Sequence, residues 1–208
     1  MLRACDALKA IVIALLAAPP ARAAEPIIAD LAPISVQNGV NKIARLAPDG
    51  RDGVVFVGWR DNGNAHGYNV VLVTLPDRES GELEVVRVEP GDDAEAEAAD
   101  VITDFPHTFE DVVKAFRFAR GTVDGKHATL LLVAVRNWKD AIPEPATVTF
   151  SVYQLQNAPD AGTTPDHFSL IRREQSDRLS CNADMALSRR FEIPLPDEYR
   201  GSAAVDGC

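Results

Sequence analysis

Cysteine is scarce in this 208-residue chain, with three in all, and so are methionine and tryptophan at two each; aromatic residues make up only 6%. No pair of cysteines has the Cys-x-x-Cys spacing, which excludes close-spaced zinc and redox frameworks. Apolar runs long enough to cross a bilayer as a helix are also missing. Lysine and arginine are outnumbered, 21 against 31 acidic residues, for a net charge of −10. That balance argues against nucleic acid or anionic lipid as the main partner. It suits a cation or a basic partner, and it also serves solubility alone. Three chemical signatures do not occur: a Gly-x-Ser-x-Gly nucleophile elbow, a glycine-rich phosphate loop ending in Gly-Lys-Ser/Thr, and His-Glu-x-x-His.

What is present begins with a leader. Arg3 and Lys9 give a basic start, Ala10 to Ala18 is a short apolar run, Pro19-Pro20 breaks it, and Ala21-Arg22-Ala23 is a small-x-small site. This pattern predicts a secretory signal peptide over residues 1–23, cut between Ala23 and Ala24. The remaining 185 residues, 24–208, fit one domain with a real core. The leader carries Arg3, Lys9 and Arg22 against Asp6, so its removal takes the net charge from −10 to −12. Cys5 leaves with it. Cys181 and Cys208, in an oxidising compartment, then pair most simply with each other. A ring of about 28 residues stabilises by roughly 3–4 kcal/mol in the loop-entropy view.

The chain is organised around Gly53 to Leu75. Two β-branched and aromatic runs, Val54–Trp59 and Tyr68–Leu75, flank a loop of turn formers. Apolar residues fall on both parities, so both strands are expected to be covered on both faces. Upstream, Ile27–Leu31 reads as a weak strand. Ile34–Val36 and Val40–Leu46 read as short strands turned at Asn38-Gly39. Downstream, Glu82–Glu89 reads as an exposed edge strand whose parity changes at Val85-Val86, as a bulge would produce. Gly91–Asp100 is acidic and solvated, and Thr108–Val113 opens as one helical turn. A strand from Phe116 to Arg120 connects through Gly121–Lys126 to a central strand, Ala128–Val135. Thr147–Gln154 alternates cleanly, placing Val148, Phe150 and Val152 on the core and the other face in solvent. After a last strand, Phe168–Arg173, the pattern turns helical: Asn182 caps, Asp184 sits in the first turn, Arg189 and Arg190 lie at the end, and Pro194 and Pro196 stop it. The total is an all-β antiparallel sandwich of about eight or nine strands with a short C-terminal helix. Helices between strands, which a doubly wound fold needs, are missing.

The candidate site is the hairpin loop. Asp61, Asn62, Asn64 and His66 offer oxygen and nitrogen ligands within six residues, and Gly63 and Gly67 let carbonyls turn inward. A hard cation such as calcium suits this set; so does a plain turn in which the Asx side chains bond nearby amides. Trp59, Arg60 and Tyr68 border the loop as a recognition patch, with core packing the expected role of Trp59. The four histidines, His66, His107, His127 and His167, are dispersed, and only the fold could assemble them around zinc.

Asn38-Gly39-Val40-Asn41, the stretch Gly58-Trp59-Arg60-Asp61-Asn62 to Asn64-Ala65-His66-Gly67-Tyr68, and Cys181-Asn182-Ala183-Asp184 resemble the CarG-like carbapenem self-resistance proteins. The resemblance implies a periplasmic, dimeric β-sandwich with short terminal helices and a bound cation, sharing its fold with bacterial inhibitors of invertebrate-type lysozyme. Inhibitors of that broad type use an exposed Ser-Gly-x-Tyr-like loop. Ser80-Gly81-Glu82-Leu83 and His66-Gly67-Tyr68 each match part of it. The expectation is therefore a non-enzymatic, exported binding or protective protein. An inhibitor of a lysozyme-like enzyme and a metal-dependent hydrolase are the alternatives.

Overall fold

The computed structural model describes residues 24–64, 66–91, 98–105, 112–157, 165–197, 199, 202 and 208. The leader, with Ala23 on one side of its cleavage point, lies outside the described residues, as do His107 and most of the predicted helical turn and acidic loop. Among the described residues, eleven strands and one helix follow one another: β1 (Ile28–Ile34), β2 (Gly39–Ile43), β3 (Gly53–Arg60), β4 (Tyr68–Pro76), β5 (Leu83–Val85), β6 (Arg87–Val88), β7 (Ile102–Thr103), β8 (Lys114–Val123), β9 (Lys126–Arg136), β10 (Val148–Gln156), β11 (His167–Gln175) and α1 (Ala183–Phe191). Only β5, β6 and β7 are shorter than five residues. A six-stranded sheet has the order β1-β8-β9-β10-β11-β6; a five-stranded sheet has β2-β3-β4-β5, with β7 also on β4.

Two cores make three layers. Between the sheets, Val55, Val71, Val73 and Leu75 meet Phe116, Phe118, Leu131, Val133, Leu155 and Phe168. On the other side of the six-stranded sheet, Leu130, Leu132, Ala134, Val148, Phe150 and Val152 meet Ala183, Ala186, Leu187 and Phe191 of α1. Phe150 and Phe191 are in edge contact at 5.9 Å. β9 contributes to both cores, which is why Leu130 to Val135 is an unbroken apolar run. Each of its fully buried leucines contributes roughly 1.5–3 kcal/mol.

This layering corrects the reading of Thr147–Gln154. Val148, Phe150 and Val152 face the helix, not the other sheet. The opposite parity is not solvated, since Ser151 and Leu155 are buried. Alternation shows that a strand has two unlike faces; it does not say which layer covers which.

The predicted turn at Asn38-Gly39 is not a hairpin. β1 pairs with β8 in one sheet and β2 with β3 in the other, so the turn carries the chain between sheets. Gly39 takes φ +108 there. Asn41 closes the turn, accepting from the Gln37 amide at 2.8 Å and donating to the Gln37 carbonyl at 2.7 Å. The two weak upstream strand signals merge into β1, an edge strand that tolerates Pro33 and has a bulge between Ala29 and Ala32.

The change of parity at Val85-Val86 has the same kind of cause. β5 pairs with β4, whereas β6 pairs in parallel with β11 in the other sheet. Val86 lies buried at the crossing and donates to the Val73 carbonyl at 2.9 Å. The expected exposed edge is β5, and the change of parity is a change of sheet, not a bulge. β8 and β9 run further than expected, leaving a loop of Asp124-Gly125 with φ of +49 and +77, as a tight primed turn requires.

The helix forms where the caps place it. Asn182 Oδ1 accepts from the amides of Asp184 at 2.9 Å and Met185 at 3.2 Å. Arg189 and Arg190 occupy the last turn, and Glu192 ends it in a left-handed conformation. Cys181 and Cys208 are joined in a disulfide that fastens the tail.

Candidate functional site

β3 and β4 form the expected hairpin, with Val54 opposite Thr74 at one end and Arg60 opposite Tyr68 at the other. Expected cover on both faces is not what the fold provides. Val55, Val71 and Val73 enter the core, while Val54, Phe56, Val70 and Leu72 lie half-buried on the outer face of the sheet. Among the described residues no further strand or helix packs over them, although Thr74 on the same parity is only 4% exposed. Registers extend this face sideways. Lys42, Val54, Thr74 and Val85 form one row, Val40, Phe56 and Leu72 another, and Gly58, Val70 and Thr103 a third. Val40 is 65% exposed and Leu83 53%. Strand spacing gives the face dimensions of roughly 20 by 30 Å.

At its end sits the predicted loop. Asp61 Oδ1 accepts from the Gly63 amide at 2.7 Å, and Asn64 Oδ1 from the His66 amide at 2.8 Å. Asn62 Nδ2 donates to the His66 carbonyl at 2.8 Å, and Arg60 reaches Asn62 Oδ1 at 3.3 Å. The four ligand candidates are thus brought together, and all are exposed. The Asp61 and Asn64 oxygens are turned to the loop's own amides and that of Asn62 to the Arg60 guanidinium, which is turn chemistry. Calcium takes six to eight oxygens. Among the described residues, no three His, Cys, Asp or Glu side chains gather as a metal ion would need. His127 is the second residue of β9 and His167 begins β11, both far along the chain from His66.

Aromatic side chains surround the loop. Trp59 is 44% exposed, not core as expected, because it lies near the end of β3, on the parity of Val55 and Val57 but past the buried core. It packs on Gly67, where a Cβ would stand 2.3 Å from its Cζ2. The Arg60 guanidinium lies 5.7 Å from the centre of the Tyr68 ring. Phe105, 39% exposed, meets Tyr68 edge-on at 5.9 Å and stands 6.3 Å from His66. Such pairings hold aromatic faces in place.

Behind this surface lies a polar cluster that sequence reasoning missed. Asp104, 3% exposed, accepts from the Asn69 amide at 2.6 Å and from Asn69 Nδ2 at 2.8 Å. Phe105 exchanges backbone bonds with Lys114, and Lys114 Nζ reaches Thr103 Oγ1 at 3.4 Å. Burial pushes the Lys114 amine below its ordinary range, against the opposing pull of Asp104. Residues 102–105 are too short and aperiodic to announce themselves; only their pairing with β4 and β8 brings Phe105 and Asp104 to the loop.

At the opposite end of the sheet, Arg51 joins Asp166 and, at 2.8 Å, Asp49, while Arg78 meets Asp49 at 2.9 Å. Arg51 also donates to the Pro76 carbonyl at 2.6 Å. This network ties the loop before β3, the end of β4 and the start of β11.

The arrangement offers a flat apolar face, an aromatic tip and two cationic side chains on it, Lys42 and Arg60. It suits contact with another macromolecule more than enclosure of a small substrate. Among the described residues, no helix is long and apolar enough to cross a membrane. No protein-family model matches the sequence, and no curated protein does. A solved structure of CarG is similar, with a TM-score of 0.57 and 18% identity, over 74% of this chain and 92% of that one. The chain therefore has a CarG-like fold.

Proposed function

We propose that this is an exported, non-enzymatic protein that protects by binding, in the manner that the resemblance to carbapenem self-resistance proteins implies. One observation carries the reading: the apolar outer face, over which no other described element packs, that ends in Tyr68 and Phe105, with Trp59 exposed at the same end on the opposite parity. The residues of the resemblance fall largely on that tip and on the neighbouring strand β2. A leader of secretory pattern and the Cys181–Cys208 disulfide support export to the periplasm. The dimer that the resemblance implies would use the same face, and the cation that it implies would have to displace the turn bonds of the Asp61–His66 loop. Purified protein mixed with a carbapenem should leave the drug intact; its loss faster than in buffer would refute a binding role.

A second reading is inhibition of a lysozyme-like enzyme. It is favoured by the exposed Ser80-Gly81 turn, held by Asp77 Oδ1, which accepts from the Ser80 amide at 2.8 Å and from Ser80 Oγ at 2.9 Å. A direct assay of an invertebrate-type lysozyme decides it. Stoichiometric inhibition, lost on Ser80→Ala, would establish this reading, and undiminished lysis would remove it.

A further inference from the structure

Away from the tip, a cavity of about 320 Å³ opens between the bulged edge of β1 and the end of α1. Its walls carry Asp30, Leu31, Arg172, Arg190, Phe191 and Glu192. That volume lies at the lower end of the range for small-molecule sites.

Arg172 is the first informative group. Its side chain is 15% exposed, and its Nη2 stands 3.8 Å from Glu174 Oε1. Glu174 is already engaged by Arg190, which donates through Nε at 2.7 Å and Nη2 at 2.9 Å. Arg172 Nε is buried, and no described residue accepts from it. Nε is closed to the cavity, but the outer edge of the guanidinium keeps a charge that Glu174, shared with Arg190, offsets only in part, and a carboxylate matches it.

The opposing groups are acidic. Asp30, at φ +55, sits in the bulge of β1, and Glu192, at φ +53, is the left-handed residue that ends α1. Asp30 Oδ2 accepts from Thr122 Oγ1 at 3.2 Å, which orients it. Glu192 also closes α1, whose carbonyl end attracts cations. A simple anion entering here would meet Asp30, Glu192 and that carbonyl end. A simple cation would meet Arg172. Leu31 and Phe191 add apolar surface to the walls.

We propose that this cavity binds a small zwitterion, a carboxylate and an ammonium on one apolar body, as in a free aliphatic or aromatic α-amino acid. The carboxylate lies on Arg172 and the ammonium between Asp30 and Glu192. This site stands independently of the tip surface and of the protective role.

The test titrates the full exported chain with L-leucine and L-phenylalanine, followed by amide NMR shifts and by calorimetry. Controls are 4-methylpentanoate, which lacks the amine, and 3-methylbutylamine, which lacks the carboxylate. Saturable binding is expected, with shifts centred on residues 28–31 and 190–192. Each control should bind about tenfold more weakly or worse, since one charge-assisted set of bonds is gone. Arg172→Gln should weaken the amino acids by about tenfold and leave 3-methylbutylamine unaffected. If that variant does not fold, Glu192→Gln at an exposed position serves, and should bring leucine and 4-methylpentanoate to similar affinity. No saturable binding of either amino acid, controls that bind as tightly, or variants with unchanged preference would each overturn the proposal.

Discussion

Gly67 and Trp59 are fitted to each other: a Cβ on the glycine would lie 2.3 Å from the indole Cζ2. The contact fixes a half-exposed tryptophan where the hairpin leaves the core. Gly67→Ala should therefore displace the indole, destabilise by about 1–3 kcal/mol, and change tryptophan fluorescence before unfolding begins. Unchanged emission and stability would show that the indole is not held there.

Arg117 and Asp184 join two layers. Arg117 Nη2 donates to Asp184 Oδ1 at 2.6 Å, and the carboxylate side chain is 3% exposed. Removing one member leaves the other charged and poorly solvated. Asp184→Ala should cost about 3–5 kcal/mol in chemical denaturation, well above a surface substitution.

Acid should loosen the molecule through two carboxylates. The hydrogen bonds from Arg190 hold the Glu174 carboxyl below its ordinary range. Burial pushes Asp49 up, but bonds from the Arg51 amide and the Arg78 and Arg51 guanidiniums outweigh it, so its net shift is downward. Both groups have folded values below their unfolded ones. Their stabilisation is thus fully present above the ordinary carboxylate range of about 4 to 4.5 and is lost as pH falls through the folded values. Glu174→Gln should flatten the acid limb of a stability profile, and a limb of unchanged slope would count against the pairing.

The tail is fastened covalently. Cys208→Ser should reduce stability by roughly 3–4 kcal/mol in the ring-entropy view. Thiol titration of unreduced, unfolded exported protein should find none, and two reactive thiols would contradict the bond.

Phe56 and Leu72 stand side by side on the uncovered face. A face of about 20 by 30 Å on each of two copies buries on the order of 1,200 Å², enough for a weak specific interface. Sedimentation should show concentration-dependent dimers for the natural chain and monomers for Phe56→Arg, with thermal stability little altered. Dimers that persist in Phe56→Arg would place the contact elsewhere.

Much of the fold was legible because several signals are local. The Asn182 cap, the Asp124-Gly125 turn and the double-sided apolar run of β9 each state their structure within a few residues. What failed depended on partners far along the chain. Asn38-Gly39 carries a hairpin signal, yet β1 finds its partner in β8. Val85-Val86 changes parity because the chain changes sheets. Val148, Phe150 and Val152 declare an apolar face without naming α1 as its cover. The candidate loop was found by its Asx residues, and the sequence also left open that they make only a turn. Phe105 and Asp104 carry no pattern at all, and Trp59 was misplaced because hydrophobicity does not reveal where a sheet outruns its core.

Carbapenem survival of cells exporting either the natural chain or Phe56→Arg tests the central claim most directly, with the drug assayed in the medium. Binding through the outer face predicts raised survival for the natural chain, loss of that protection in the folded variant, and intact drug in both. Equal protection by Phe56→Arg, or consumption of the drug by the natural chain, would contradict it.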